Sequence, residues 1–222
     1  MSETGPELPR VTPLAHLMGR ITIVPPAQLL YGLRRSGQHH FPRTGPVLLV
    51  SNHVSNADPP LLGVAALPRI LYFMAKRELF DSRPLSLLIR TLGAFPIDRG
   101  GADRTAMRVS RAILERGDCL LMFPEGTRAP DGRLGRPHPG AGTLALVPGV
   151  QVVPVAIWGS QKMFGRTRVR FGPPIDMSDL TEGSRGARSR AAVERMMEHI
   201  ARLLPLVGGP VQEAPKALAP DG

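Results

Sequence analysis

Residues 47–60 read VLLVSNHVSNADPP, an apolar run that ends in a short polar stretch with one histidine and one aspartate. Four β-compatible apolar residues behind Gly45-Pro46 predict a buried strand. Asp58 stands directly before two prolines, which predicts that it caps a helix whose first residue is a proline. We therefore expect His53 in the loop that leaves the strand and Asp58 at the mouth of the next helix.

This stretch favours general-base catalysis by His53. An imidazole can accept a proton at neutral pH, and a carboxylate on its other nitrogen fixes the tautomer and stabilises the imidazolium. Five residues apart on one helix would put the side chains of His53 and Asp58 about 140° apart, so their pairing requires the chain to turn between them. The alternative interpretation is a loop histidine beside an ordinary helix cap.

The composition limits the class of protein. A chain of 222 residues fits one domain with a substantial core. The net charge of +10 suits anionic lipid, phosphorylated substrates or nucleic acid. Aromatic residues make up only 5% of the chain, and nucleic-acid binding without a known motif needs basic residues interleaved with aromatics. We therefore expect no nucleic-acid partner.

The cysteine content and the hydropathy bear on the compartment. Cys119 is the only cysteine and lies in an apolar run, so we expect it in a buried strand and without an internal disulfide. No stretch approaches 18 consecutive apolar residues, and the acidic, proline-containing start does not resemble a signal peptide. These features predict a protein that is made and kept in the cytoplasm.

The N-terminal part predicts a membrane-interfacial segment. Residues 1–10 have the composition of a disordered leader, and residues 11–33 predict two short helices with a bend at Pro25-Pro26. Their apolar residues are edged by arginines, as in helices that lie in a lipid interface, although the same helices could pack on the core. We therefore divide the chain into an N-terminal segment over 1–36, a main domain over 37–204 and a disordered tail over 205–222.

Strand-like and helical segments alternate through the main domain, which predicts an α/β sheet flanked by helices. The predicted strands cover residues 47–50, 70–74, 120–123, 152–157 and 168–171. The predicted helices cover residues 84–92, 102–116, 143–147 and 193–204. The helix over 102–116 places Ala106, Val109 and Ile113 on one apolar face opposite its arginines.

Three polar segments each follow an apolar run, and they cover residues 52–58, 98–99 and 125–128. Since ligands gather outside the carboxyl ends of strands in α/β sheets, these segments are expected to share one cleft. Arg99 and Arg128 are suited to forked recognition of a phosphate there. Gly126 allows backbone amides to approach that phosphate, and the Thr127 hydroxyl adds a donor.

Four sequence blocks resemble those of the glycerolipid acyltransferase family, which includes the bacterial 1-acylglycerol-3-phosphate acyltransferases. The Asn-His-x-x-x-x-Asp block corresponds to Asn52–Asp58, and the Gly-x-Phe-x-Ile-x-Arg block to Gly93–Arg99. The Phe-Pro-Glu-Gly-Thr-Arg block is intact at Phe123–Arg128, and an apolar run around a Val-Pro pair lies at Val152–Val155. The resemblance spans about residues 45–160.

The resemblance implies transfer of a fatty acyl group from acyl-CoA or acyl carrier protein to a lysophospholipid hydroxyl, without a further cofactor. His53 would be the base and Asp58 its partner, and Lys76 would assist phosphate binding or the oxyanion. The residues that would bind the acceptor's glycerol phosphate are Arg99, Glu125, Gly126, Thr127 and Arg128. The implied product is phosphatidic acid, made on the cytoplasmic face of the cell membrane by a peripheral or monotopic enzyme.

Two positions depart from the family pattern. Ala129 stands where family members commonly carry Ser, and His138 where they carry Lys. Another lyso-lipid acceptor is therefore an alternative, as is a basic lipid- or nucleic-acid-binding protein that lacks activity. No Gly-x-Ser-x-Gly elbow is present, which favours direct transfer over an acyl-enzyme, and the histidines lack the spacing of metal ligands.

Overall fold

A computed structural model describes residues 8–9, 11–97 and 103–217 as an α/β fold with one central sheet. The strands are β1 Arg34–Ser36, β2 Val47–Ser51, β3 Leu71–Lys76, β4 Ala94–Ile97, β5 Cys119–Met122, β6 Gln151–Trp158 and β7 Arg168–Phe171. The helices are α1 Pro13–Tyr31, α2 Asp58–Ala65, α3 Arg83–Thr91, α4 Arg104–Glu115, α5 Pro139–Ala145 and α6 Arg185–Leu203. Short 3-10 turns lie at Gln38–His40, Arg77–Phe80 and Leu204–Val207.

The sheet has seven strands in the order β1-β7-β6-β2-β5-β3-β4. All neighbouring strands are parallel except β6 and β7. Strand β2 lies between β5 and β6, with Val50 opposite both Met122 and Pro154. All five residues of β2 are buried, which is why this strand reads as a continuous apolar run. The loops that follow β2, β5 and β6 consequently leave the sheet side by side.

Helices cover both faces of the sheet and give two core layers. Helices α1, α2 and α3 contribute to one layer, and α4, α5 and α6 to the other. The predicted apolar face of α4 is confirmed, because Ala106, Val109 and Ile113 are all buried. Helix α6 begins eight residues before the predicted start at residue 193, since Ser184 caps it by accepting the N–H of Ala187.

The prediction of two helices with a bend over residues 11–33 is wrong, because α1 runs unbroken through Pro25 and Pro26. The prolines supply no N–H to the carbonyls of residues 21 and 22, and these two residues are exposed, so that water can hydrate the carbonyls instead. Proline's fixed φ is compatible with a helix, and Ala27 anchors this part of α1 in the core.

Both ends of the main domain extend beyond the predicted boundaries. Residues 34–36, assigned to the N-terminal segment, form the edge strand β1 and pair with β7. The sequence predicts disorder from residue 205 onward, but part of residues 205–217 packs on the main domain. Val207 is buried, and the side-chain amide of Gln212 bridges the Gly132 carbonyl and the Leu134 N–H. The Gln212 amide thus pairs two backbone groups of a distant loop, and amino-acid composition does not reveal a contact of this kind.

Candidate active site

His53 and Asp58 form the centre of the candidate site. His53 lies two residues beyond the end of β2, and its Nδ1 is 2.8 Å from Oδ2 of Asp58. Both side chains are buried. The chain turns between them at the start of α2, as the sequence predicted, so the imidazole and the carboxylate face each other.

Asp58 does not cap its own helix, so that part of the prediction is wrong. The N-cap position is Ala57, and Oδ2 of Asp58 instead accepts the backbone N–H groups of Val54 at 2.7 Å and Ser55 at 2.8 Å. The carboxylate is therefore the centre around which the loop after β2 folds. Oδ2 already accepts two backbone N–H groups. It is therefore an acceptor toward His53 as well, and Nδ1 of His53 is the donor.

Ser160 is a site residue that sequence reasoning missed. Its buried hydroxyl donates a hydrogen bond to Oδ1 of Asp58, the carboxylate oxygen that does not face His53. Ser160 belongs to the loop that leaves β6, which runs beside β2. The signal in the sequence is a Gly-Ser pair directly after an apolar run, at the same edge of the sheet as His53.

Glu125 holds the loop of His53 in place. Its Oε1 accepts the backbone N–H of His53 at 3.1 Å, and its Oε2 accepts the N–H of Gly135 at 2.6 Å. Burial raises the pKa of the Glu125 carboxyl to about 7, against the opposing effect of these two amide hydrogen bonds. Both oxygens face the protein backbone, so the geometry supports a positioning role where the sequence predicted a substrate contact.

Three further contacts fix the orientation of the imidazole. The carbonyl of His53 accepts the N–H of Ala129 at 2.8 Å. The side-chain amide of Asn52 makes two hydrogen bonds with the backbone of Ile157 in β6, at 2.9 and 3.0 Å. The ring of Phe123 stacks on the ring of His53 at a centroid distance of 3.9 Å. Among the described residues none bonds Nε2 of His53, which leaves this nitrogen to a ligand.

Apart from the buried Glu125, the described residues that were predicted to bind the acceptor are exposed. Gly126, Thr127 and Arg128 are exposed on the loop after β5, and Lys76 is exposed at the end of β3. Gly126 has a φ of 68°, and a Cβ there would meet the His138 ring at 3.0 Å, so a larger residue would be strained at this position. His138 therefore lies directly beside the Gly126 backbone. Arg99 lies outside the described residues.

The structure also tests the alternative nucleophile. Cys119 is buried in β5, as predicted, and burial raises the pKa of its thiol to about 12. At neutral pH the reactive thiolate is therefore scarce. In the part of the chain that the structure describes, no three His, Cys, Asp or Glu side chains are placed to hold a metal ion.

The arrangement can perform proton transfer to and from a ligand hydroxyl. The Nε2 side of the imidazole is open, Asp58 holds the ring through Nδ1, and the carboxylate can stabilise the imidazolium that forms. The loop of Gly126 and Arg128 follows β5, beside the end of β2, and supplies a cation and exposed backbone. An α/β sheet with this pair and this loop has the arrangement of a group-transfer enzyme in which a histidine can serve as the base.

The comparison with family models agrees with this class. The acyltransferase model matches residues 32–158, more than half of the chain. The chain belongs to the acyltransferase family. The match covers the sheet from the residues before β1 to the end of β6 and includes His53, Asp58 and Glu125.

Several curated relatives are named 1-acyl-sn-glycerol-3-phosphate acyltransferase. The one from Streptococcus pneumoniae is 36% identical over 139 residues, which cover 60% of this chain and 51% of the relative. The alpha form from Mus musculus is 34% identical over 171 residues, which cover 70% and 59%. The one from Bacillus subtilis is 27% identical over 178 residues, which cover 78% and 88%. The chain thus spans about half the length of the first two relatives.

A solved structure shows the same fold. It is the 1-acyl-sn-glycerophosphate acyltransferase PlsC from Thermotoga maritima, which matches with a TM-score of 0.63 at 23% sequence identity. The match covers 86% of this chain and 78% of the other. The predicted fold class, a glycerol-3-phosphate acyltransferase-like sheet flanked by helices, is therefore confirmed.

Proposed function

We propose that the protein transfers a fatty acyl group from an acyl thioester to the free hydroxyl of lysophosphatidic acid and so produces phosphatidic acid. The observation that carries this proposal is the buried His53–Asp58 pair with Nε2 open beside the Gly126–Arg128 loop. The names of the curated relatives support the choice of acceptor.

The chemistry runs through His53. Nε2 takes the proton of the acceptor hydroxyl as its oxygen attacks the thioester carbonyl, so that a C–O bond forms. The C–S bond then breaks, and the imidazolium returns the proton to the thiolate that leaves. Asp58 stabilises the imidazolium through Nδ1. A positioned base of this kind contributes roughly 10²- to 10⁴-fold to the rate.

The acceptor's phosphate is proposed to bind beside the loop after β5. Arg128 is exposed, and within the described ranges no hydrogen bond or ion pair engages its guanidinium, which is available for an anion. Thr127 adds a hydroxyl donor and Lys76 a second cation from the end of β3. Arg99 belongs to the same proposal by its place in the Gly93–Arg99 block. The thiol carrier of the donor is CoA or acyl carrier protein.

We propose further that the protein works at a membrane surface, on its cytoplasmic face. Over the described residues, no helix combines the length and the apolar character that a bilayer span requires. Two neighbouring helices expose apolar side chains, namely Leu14, Leu17, Met18, Ile21 and Leu29 on α1 and Leu85, Leu87 and Leu88 on α3. An exposed apolar surface of this kind suits peripheral attachment to lipid.

The membrane proposal is tested by substitution and not by truncation, because Ala27 and Leu33 lie in the core and residues 34–36 form β1. The double variant Leu17→Ser/Ile21→Ser should co-sediment less with lipid vesicles than the wild type and should still convert a dispersed short-chain acceptor. Unchanged sedimentation would refute the role of α1.

The enzymatic proposal is tested with purified protein, lysophosphatidic acid and acyl-CoA, by following thiol release and the diacyl product. His53→Ala should abolish transfer. His39→Ala is the matched control, since His39 is exposed on a surface turn, and it should act like the wild type. Absence of transfer by the wild type with both acyl-CoA and acyl carrier protein as donors would refute the proposal.

The position of His138 supports a second candidate function within the same class. His138 stands where the family pattern described above has lysine and lies against Gly126, so the cleft has one permanent cation fewer than that pattern beside the proposed phosphate site. Transfer to a lyso-lipid without the phosphomonoester is therefore the alternative. The same assay decides it, because lysophosphatidic acid and a lyso-lipid with a capped phosphate can be compared at equal concentration.

A further inference from the structure

The loop between β6 and β7 exposes two large apolar side chains at its tip. Met163 is 56% exposed and Phe164 is 75% exposed. Phe164 also has a φ of 60°, which makes it the one non-glycine residue with a positive φ among the residues the structure describes. For a bulky side chain this backbone conformation is unfavourable, and such outliers are retained where the surroundings enforce them.

Hydrogen bonds on both sides hold this tip in place. The N–H of Phe164 donates to the carbonyl of Leu30, and the N–H of Thr167 donates to the carbonyl of Tyr31 at 2.8 Å. Both acceptors belong to the last turn of α1, where carbonyls lack partners within the helix. At the other end of the loop, Ser160 is bonded to Asp58. Phe164 is therefore presented to solvent by a braced loop.

The position and the charge of this loop point to lipid. The tip lies at the C-terminal end of α1, one residue from Leu29, which is 78% exposed and belongs to the apolar surface of that helix. Lys162 and Arg166 flank the tip and are exposed, and residues 159–168 contain no carboxylate. Apolar side chains between cations are the pattern that binds an anionic bilayer surface.

We propose that Met163 and Phe164 form a wedge that inserts into the lipid surface next to α1, while Lys162 and Arg166 contact anionic headgroups. The wedge rests on the proposed membrane function and adds a second contact to it, on the loop whose other end holds the catalytic aspartate. A protein partner of equal apolarity would use the same side chains but would not require lipid.

The first test compares the wild type with Phe164→Gly for binding to vesicles that contain phosphatidylcholine and phosphatidylglycerol in equal parts. Phe164→Gly removes the ring, and glycine adopts a φ of 60° without strain, so the loop keeps its path. Burial of a phenylalanine side chain implies a roughly ten- to a hundred-fold weaker partition of this variant onto vesicles. Val211→Ser is the matched control, because Val211 is 86% exposed but belongs to the tail that packs on the other helix layer.

The same variants separate the wedge from the proposed enzyme function. Phe164→Gly should turn over a dispersed short-chain acceptor like the wild type and lose activity only on vesicle-bound acceptor. Wild-type partition of Phe164→Gly onto vesicles would overturn the wedge and leave the enzyme function standing. A wild type inactive on both acceptors would overturn the enzyme function alone, since partition is measured without turnover.

A second measurement does not depend on loss of binding. Phe164→Trp places an indole at the tip, and its emission should shift to the blue on vesicles and be quenched by brominated acyl chains. The wild type, with Trp158 as its single tryptophan, supplies the background spectrum. Unquenched emission from vesicle-bound Phe164→Trp would overturn insertion.

Discussion

Oε1 of Glu125 accepts the backbone N–H of His53 at 3.1 Å, so a carboxyl from the loop after β5 sets the position of the proposed base. The second oxygen of Glu125 is bonded to Gly135, which ties the two sides of the same loop together. Glu125 therefore supports the site through the backbone, whereas the exposed residues 126–128 that follow it face the solvent.

The raised pKa of Glu125 predicts a pH dependence of stability. The pKa is about 7 in the folded protein against an ordinary 4.5, so the folded state binds more protons than the unfolded state between these values. The free energy of unfolding should fall as pH rises from about 4.5 to 7 and then level off, with Glu125 contributing at most about 3 kcal/mol to the fall. Urea unfolding across this range should show a flatter profile for Glu125→Gln. Glu182→Gln, at an exposed position, should follow the wild type.

The two substitutions of Asp58 separate charge from geometry. Asparagine can place its oxygen where Oδ2 lies and its NH₂ toward Ser160, so Asp58→Asn keeps the loop and removes only the charge. Turnover should fall roughly ten- to a hundred-fold, the size of one charge-assisted hydrogen bond, with little change in thermal stability. Asp58→Ala leaves the backbone N–H groups of Val54 and Ser55 without an acceptor, so this variant should lose stability as well. Equal losses of stability in Asp58→Asn and Asp58→Ala would contradict this separation of charge from geometry.

Ser160 acts through Asp58 and is expected to behave as a positioning residue. Ser160→Ala leaves one buried carboxylate oxygen without its donor, which costs about 1–3 kcal/mol. The kcat should decrease while the KM values for the acceptor and the acyl donor stay near those of the wild type. Ser160→Thr, which keeps a hydroxyl, should recover part of the kcat. A change confined to KM would place Ser160 in substrate binding instead.

Arg128→Lys tests whether the guanidinium grips the acceptor's phosphate. Lysine keeps the charge but cannot make a planar two-point contact, so the acceptor KM should rise roughly ten- to a hundred-fold. The KM for acyl-CoA should stay constant. Arg133→Lys is the control. Arg133 is exposed on the same loop, and its ion pair with Asp131 is long, at 3.9 Å. A rise in the acyl-CoA KM alone would assign Arg128 to the donor.

Much of the fold could be predicted because its central strands are buried on both faces. Such strands appear in the sequence as apolar runs, so the sequence predicts the ends of β2, β5 and β6 to within one residue, together with the polar segments that follow them. The turn between His53 and Asp58 followed from the prolines after Asp58. Local chemistry therefore predicted the pairing of the base and its carboxylate.

The remaining features depend on contacts between distant parts of the chain. Oε1 of Glu125 accepts a backbone N–H that lies 72 residues away in the sequence, and sequence spacing does not reveal such a partner. Ser160 reaches Asp58 across 102 residues. Likewise the continuity of α1 through two prolines depends on packing against the core, which overrides the local preference for a bend.

The burial of Cys119 has a practical consequence for experiments. The thiol is enclosed in β5 and its pKa of about 12 keeps it protonated, so it should not react with the disulfide reagents that report free CoA. The enzyme's own sulfur then adds no background to a colorimetric assay. Spin labels or fluorophores can equally be attached to the variant Met163→Cys without first removing Cys119.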